Sequence, residues 1–125
     1  MQVLQMQPVE SVQVNPERLG HLYAQLGEAG AEDVVCRAME ELALRMSHCD
    51  RLFRERDLGE LRKNARSLIA IADQIGMHTF SRVAGDVTQC IDGGDRTALA
   101  ATLSRLLRIG ERSLCAIWDM QDMSL

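Results

Sequence analysis

Apolar residues recur along this chain at intervals of three and four, which places their side chains on one face of an α-helix. The clearest stripe consists of Leu61, Ala65, Leu68, Ala72 and Ile75. Asp57 and Glu60 have the spacing of a capping box, in which each side chain satisfies a backbone N–H of the first turn. Gly76 can adopt the left-handed conformation that closes a helix. The pattern therefore predicts a helix over 57–76.

Three further stripes predict three more helices that face a common core. In chain order they are Val35, Met39, Leu42, Met46, Cys49 and Phe53; Phe80, Val83, Ala84, Val87 and Ile91; and Leu99, Leu103, Leu106, Leu114 and Ile117. Asn15 and Pro16 form a strong helix entry, with a capping side chain followed by proline at the first helical position. This entry predicts a short helix that ends near Gly27 or Gly30.

Short connections between successive long helices favour an all-α fold, an antiparallel up-down-up-down four-helix bundle with a short N-terminal lid helix. The composition agrees, because 46% of residues are hydrophobic but only 3% are aromatic, which suits helices better than a sheet. A chain of 125 residues fits one domain. We therefore expect a mobile N-terminal tail over 1–14, a helical bundle over 15–120 and a C-terminal tail over 121–125.

The run RSLIAIADQIG, which begins at Arg66, resembles the signature of histidine phosphotransfer (HPt) domains. In that signature a phosphate-accepting histidine is followed by an apolar residue, a lysine, a small residue and, ten positions on, a glycine. Leu68, Ala70 and Gly76 occupy the matching positions. The order of elements, a lid helix and then a bundle whose second helix carries the motif, is also similar. The resemblance implies the HPt fold.

Two positions depart from the family pattern, and both concern its chemistry. Arg66 stands where the family has its histidine, and Ile69 stands where it has its lysine. A guanidinium stays protonated and has no free lone pair to accept phosphate, but it can form forked hydrogen bonds to a carboxylate or a phosphoryl group. The resemblance therefore implies a pseudo-phosphotransferase in two-component or phosphorelay signalling. Its expected partner is the acidic pocket of a response-regulator receiver domain, or a histidine kinase.

Rotation away from the apolar stripe of 57–76 brings a largely polar set onto or near one outward face. We call this set the partner face; it consists of Arg62, Lys63, Arg66, Ile69, Ala70 and Asp73. An isoleucine in place of a lysine makes the ridge more apolar, which suits a protein interface. Two plainer interpretations remain open, namely that Arg66 is a solvated surface residue and that Ile69 widens the core stripe.

Histidines elsewhere in the chain keep an enzymatic alternative open. None of His21, His48 and His78 is followed by the apolar-basic-small run of the family. His78 is the best placed, because it begins the helix that follows Gly76. An active phosphotransferase would therefore use His78 as an atypical acceptor. A third alternative is a helical regulatory protein outside phosphorelays that forms a homodimer.

Bulk properties argue against several other classes of protein. A net charge of −4 does not favour nucleic-acid binding. The sequence offers no metal-ligand pair and no glycine-rich phosphate loop, so we expect no metal and no cofactor. Without a C-x-x-C pair, the four cysteines are expected to be small buried residues. No apolar run approaches the ~20 residues of a membrane span, and no signal peptide is recognisable, so we expect a cytoplasmic protein that does not enter membranes.

Overall fold

Four α-helices form the part of the chain that the computed structural model describes, residues 14–123 with side chains as far as residue 120. They are α1 (Pro16–Arg54), α2 (Leu58–Gln74), α3 (His78–Gly93) and α4 (Arg96–Met123). Each helix packs against the next one along the chain, and α1 also packs against α4, so that α2 and α4 lie diagonally opposite each other. Together with the short connections, this packing confirms the predicted antiparallel four-helix bundle. No strand is present within 14–123.

The predicted lid helix is the first segment of α1. Gly27 has φ 74° and ψ 170°, which interrupts α1 and separates the lid from the long segment that follows. At the start of the lid, Oδ1 of Asn15 accepts hydrogen bonds from the backbone N–H of Glu17 at 2.9 Å and of Arg18 at 3.4 Å. The asparagine therefore caps the lid as the sequence predicts.

The lid is anchored to the connection between α2 and α3. The backbone N–H of Asn15 donates to the carbonyl of Gly76 at 2.9 Å, and Nε of Arg18 donates to the carbonyl of Gln74 at 3.0 Å. Gly76 has φ 80°, and a Cβ there would lie 3.1 Å from the carbonyl oxygen of Asn15. Glycine is therefore required at this position both for its conformation and for the close approach of the lid.

The ends of the chain add two facts about the predicted tails. Val14, the last residue of the predicted N-terminal tail, forms an isolated antiparallel bridge with Met77. The rest of that tail lies outside the described residues. At the other end, α4 continues past residue 120 to Met123, and residues 124–125 lie outside the described part.

The predicted apolar stripes supply most of the core. All five members of the α2 stripe have 0% exposure. In the other three stripes Met39, Phe53, Ile91 and Leu114 are half-buried, and the remaining members are buried. None of the helices in the described part is both long and apolar enough to cross a bilayer.

The expectation that the cysteines are buried is wrong for two of the four. Cys49 is buried and Cys90 is half-buried, whereas Cys36 and Cys115 are exposed. Cys36 directly follows the buried Val35, and one residue further along a helix turns the side chain by about 100°, away from the core. The exposure of Cys36 therefore follows from its position around the helix, whatever the apolar character of the thiol.

Among the glycines of the described residues, Gly110 in α4 has the closest neighbours. A Cβ at this buried position would overlap the end of the Met46 side chain and would lie 2.9 Å from Cε2 of Phe80. The absence of a side chain lets α4 approach α1 and α3 at this level. Gly85 in α3 is different, since a Cβ there would meet no atom outside its own helix within 4 Å.

Candidate partner-binding face

The burial of the α2 stripe determines which residues of the helix face water. Because the members of the α2 stripe point into the bundle, the residues on the opposite side of the helix point outward. Lys63, Arg66, Ala70 and Asp73 are exposed, and Arg62 and Ile69 are half-buried at the edges of the stripe. The structure therefore brings the whole partner face onto or beside the outer side of α2.

Arg66 lies near the middle of α2, and its side chain is exposed. Within the described residues it makes no hydrogen bond and no ion pair. Its guanidinium therefore presents all of its N–H donors to solvent. This is the arrangement needed for a forked interaction with an oxygen-bearing group of another molecule.

Arg62, one turn before Arg66, has a partner in the last turn of α3. Nε of Arg62 lies 2.8 Å from Oδ1 of Asp92, and Nη2 lies 3.1 Å from Oδ2. These hydrogen bonds hold the pKa of Asp92 below its ordinary value. Desolvation acts in the opposite direction, and the positive charges of Arg62 and Arg66 also lower the pKa. The same pair raises the pKa of Arg62. Two arginines and one carboxylate thus form a cluster at this end of the partner face.

Lys63 is also paired, and its partner changes the predicted capping box. Oδ1 of Asp57 accepts a hydrogen bond from the backbone N–H of Glu60 at 3.3 Å, as predicted. The carboxylate of Glu60 does not return the bond; it lies 3.3 Å from Nζ of Lys63. The backbone N–H of Asp57 donates instead to the carbonyl of Leu52 at 2.9 Å, because the turn after α1 already supplies an acceptor. The capping box is therefore half formed.

Asn64 is a structural residue of α2 that the sequence analysis missed. Its Nδ2 donates to the carbonyl of Arg45 at 2.8 Å and to Sγ of Cys49 at 3.2 Å, and its Oδ1 accepts from Nη1 of Arg45 at 3.2 Å. Nε of Arg45 in turn lies 2.7 Å from Oε1 of Glu41. The available signal was position, since Asn64 lies three residues after Leu61 on the apolar stripe.

The consequence of the Asn64 contacts is a fixed rotation of α2 against α1. A buried amide whose donors and acceptor are all satisfied in one arrangement would lose hydrogen bonds if the helix turned or slid. Burial raises the pKa of the Cys49 thiol, although the hydrogen bond from Asn64 acts in the opposite direction. The inner side of α2 therefore holds the outer side in position.

Ile69 serves the core as well as the surface. It is half-buried and packs against the hydrophobic cluster of the bundle, beside the exposed Ala70. The interpretation that Ile69 widens the core stripe is therefore confirmed for its buried part. Its remaining exposed surface lies on the partner face, next to a small residue that leaves room for close approach.

His78 lies at the start of α3, away from the middle of α2. Its Nε2 is 3.2 Å from Nδ2 of Asn15. Oδ1 of Asn15 is used to accept backbone N–H groups, so Nδ2 is the donor in this pair and Nε2 of His78 is the acceptor. His21 is exposed on the lid and His48 is half-buried in α1. None of the three histidines therefore belongs to α2, the helix that carries the partner face.

Comparison of the chain with protein-family models, with curated proteins and with solved structures finds no match in any of the three. In the part of the chain that the structure describes, no group of three or more histidine, cysteine or acidic side chains could hold a metal ion. Function is therefore inferred from the residues and geometry of the partner face.

Proposed function

We propose that this protein is a non-catalytic HPt-like module of two-component or phosphorelay signalling, which binds a receiver domain or a histidine kinase through the partner face. The observation that carries the proposal is the exposed guanidinium of Arg66, which makes no hydrogen bond or ion pair among the described residues, at the position where the HPt signature has its histidine. We also propose that the protein acts in the cytoplasm, as expected from the sequence. The proposal is for binding and not for group transfer, because a guanidinium has no lone pair to accept a phosphoryl group.

The charge distribution of the face supports an acidic partner. Asp92 forms an ion pair with Arg62 and Glu60 forms one with Lys63, whereas Arg66 forms no ion pair and no hydrogen bond among the described residues. The chain as a whole carries a net charge of −4, so this local positive charge stands out from its surroundings. A guanidinium of this kind matches the acidic phosphorylation pocket that the resemblance implies for a receiver domain.

The shape of the face supports a protein partner. Ala70, one turn after Arg66, is exposed and small, and the exposed part of Ile69 adds apolar surface beside it. Protein interfaces combine such an apolar centre with an arginine and leave ion pairs at the rim. In this arrangement Arg66 and Ile69 form the centre, and the pairs made by Arg62 and Lys63 form the rim.

A charge reversal tests the proposal against a matched control. Arg66→Glu should weaken binding to the cognate receiver domain of the source organism at least about tenfold, since a carboxylate would meet an acidic pocket. Arg108→Glu makes the same change on α4, diagonally opposite α2, and should leave the affinity unchanged. Titration calorimetry with each purified receiver domain measures both values. Unchanged binding of Arg66→Glu to every receiver would overturn the proposal.

A labelling experiment distinguishes the proposed binding function from the alternative of an active phosphotransferase. Incubation with a radiolabelled phospho-receiver should leave no acid-labile label on this chain, since the engaged Nε2 of His78 lies outside the partner face. Label on the wild-type chain that disappears in His78→Ala would establish the phosphotransferase alternative in its place.

A homodimer outside phosphorelays remains a second candidate because large apolar side chains are exposed on α1 and α4. Leu44 has 53% exposure and Trp118 has 58%. Sedimentation velocity of the wild type and of Trp118→Ala tests this candidate directly. A dimer that dissociates in the variant would favour it, whereas a monomer in both would exclude it.

A further inference from the structure

The carboxylate of Asp92 occupies the donor groups of Arg62 that an external anion would use. Its two oxygens meet Nε and Nη2 of Arg62 at 2.8 and 3.1 Å, the parallel two-bond geometry in which arginine binds carboxylates and phosphoryl groups. Arg66 is one turn away on the same side of α2, a spacing at which two side chains on a helix are neighbours. Arg62 is therefore blocked and Arg66 is open.

The position of Asp92 makes this block reversible. The side chain has 56% exposure, so water can solvate the carboxylate as soon as it leaves Arg62. Asp92 also lies in the last turn of α3, where the negative end of the helix dipole disfavours a carboxylate. Solvation by water therefore lowers the free-energy cost of displacing the carboxylate from Arg62. Because the helix dipole does not favour the carboxylate, the pair with Arg62 is the main interaction that holds it in place.

We propose that Asp92 is an internal competitor, which keeps Arg62 occupied until a phosphoryl group bound at Arg66 displaces it and engages both arginines. This inference concerns the face on which the proposed function rests, and it names the ligand class of that face. A phosphoryl group carries three terminal oxygens and up to two negative charges, so it can accept hydrogen bonds from two guanidinium groups at once. A single external carboxylate has only the two oxygens and one charge that Asp92 also has, and it lacks the advantage of being held beside Arg62 by the fold.

The test uses inorganic phosphate and the full chain at low ionic strength, with the arginine Nε–H signals followed by NMR. In the wild type, phosphate should shift the signal of Arg66 at lower concentration than that of Arg62. In Asp92→Asn both signals should shift together, and phosphate should bind about three- to tenfold more tightly, because one competing charged hydrogen-bonded pair is gone. Acetate in place of phosphate should bind more weakly to both proteins.

A matched control separates competition from a general change in charge. Asp86→Asn removes the same charge from the same helix, at a residue that has no hydrogen bond or ion pair among the described residues, and should change phosphate affinity less than about twofold. Circular dichroism confirms that both variants are folded. The inference is overturned if Asp92→Asn binds phosphate no more tightly than Asp86→Asn, or if acetate gains as much affinity as phosphate.

The two proposals fail in different experiments. The phosphate titration needs no receiver domain, so a gain in Asp92→Asn supports the competitor even if Arg66→Glu leaves receiver binding unchanged. Conversely, loss of receiver binding in Arg66→Glu supports the proposed function even if Asp92→Asn shows no gain for phosphate.

Discussion

The inner and outer sides of α2 differ in whether their polar side chains are hydrogen-bonded within the protein. On the inner side the amide of Asn64 is buried, and it bonds to the backbone of Arg45, to its guanidinium and to the thiol of Cys49. On the outer side Arg66, two residues later, bonds to no described residue. A buried polar group must be satisfied within the fold, whereas an exposed one can stay available for another molecule. The inner side therefore contributes stability, and the outer side contributes the capacity to bind.

Truncation of the side chains of Asn64 and Arg66 should reveal the largest difference in stability between the two sides. Asn64→Ala should lower the free energy of unfolding by about 2–3 kcal/mol, because it leaves the buried groups of α1 without their partner. Arg66→Ala should change it by less than about 0.5 kcal/mol, as is usual for an exposed residue without contacts. Urea unfolding followed by circular dichroism measures both. Equal losses in the two variants would show that the two sides do not differ as described.

Two helical glycines extend the comparison to positions without a side chain. Gly110→Ala should destabilise the protein by about 1–2 kcal/mol, because overpacking against Met46 and Phe80 outweighs the gain in helix propensity. Gly85→Ala should stabilise it by about 0.5–1 kcal/mol, since the added methyl group meets no atom outside α3 and alanine favours the helix. Opposite signs in thermal unfolding are the expected result. A stabilised Gly110→Ala would show that α4 does not pack this closely.

The smallest predicted effect is the acid dependence of the cluster on the outer side. The pKa of Asp92 is lower in the folded protein than in the unfolded chain. The pair with Arg62 therefore stabilises the fold at pH values above the pKa of an aspartate in the unfolded chain, about 3.9. This stabilisation is lost as the pH falls through the lower pKa of the folded protein. NMR titration of the side-chain carboxyl should show this lowered pKa. In Arg62→Met it should rise towards the ordinary value, whereas Arg108→Met on α4 should leave it unchanged. A pKa of Asp92 that does not respond to Arg62→Met would contradict the pair.

Local signals in the sequence predict the helices and the outer side of α2. The stripe of 57–76, the cap at Asn15 and the closing role of Gly76 depend on spacing and on backbone preference, which a short stretch of chain contains in full. The outward position of Arg66 then follows from the rotation of one helix. These are properties that do not require knowledge of the neighbouring helices.

The contacts that sequence reasoning missed depend on the register between helices. The burial of Asn64 requires Arg45 and Cys49 opposite it, and the need for glycine at position 110 requires Met46 and Phe80. The pair between Arg62 and Asp92 joins residues that are far apart in the chain and meet only where α2 packs on α3. The periodicity of apolar residues shows which face of each helix is buried, but it does not show how far the helix is shifted along its axis relative to its neighbour.

The most direct test of the central claim is an NMR titration of the isotope-labelled chain with the receiver domains of its source organism. We predict that one receiver perturbs the signals of α2 around Arg66, Ala70 and Asp73 while the indole signal of Trp118 on α4 stays unchanged. Perturbation centred on α4, or no perturbation at Arg66 with any receiver domain or histidine kinase of the source organism, would contradict the account of α2 as the binding side of this bundle.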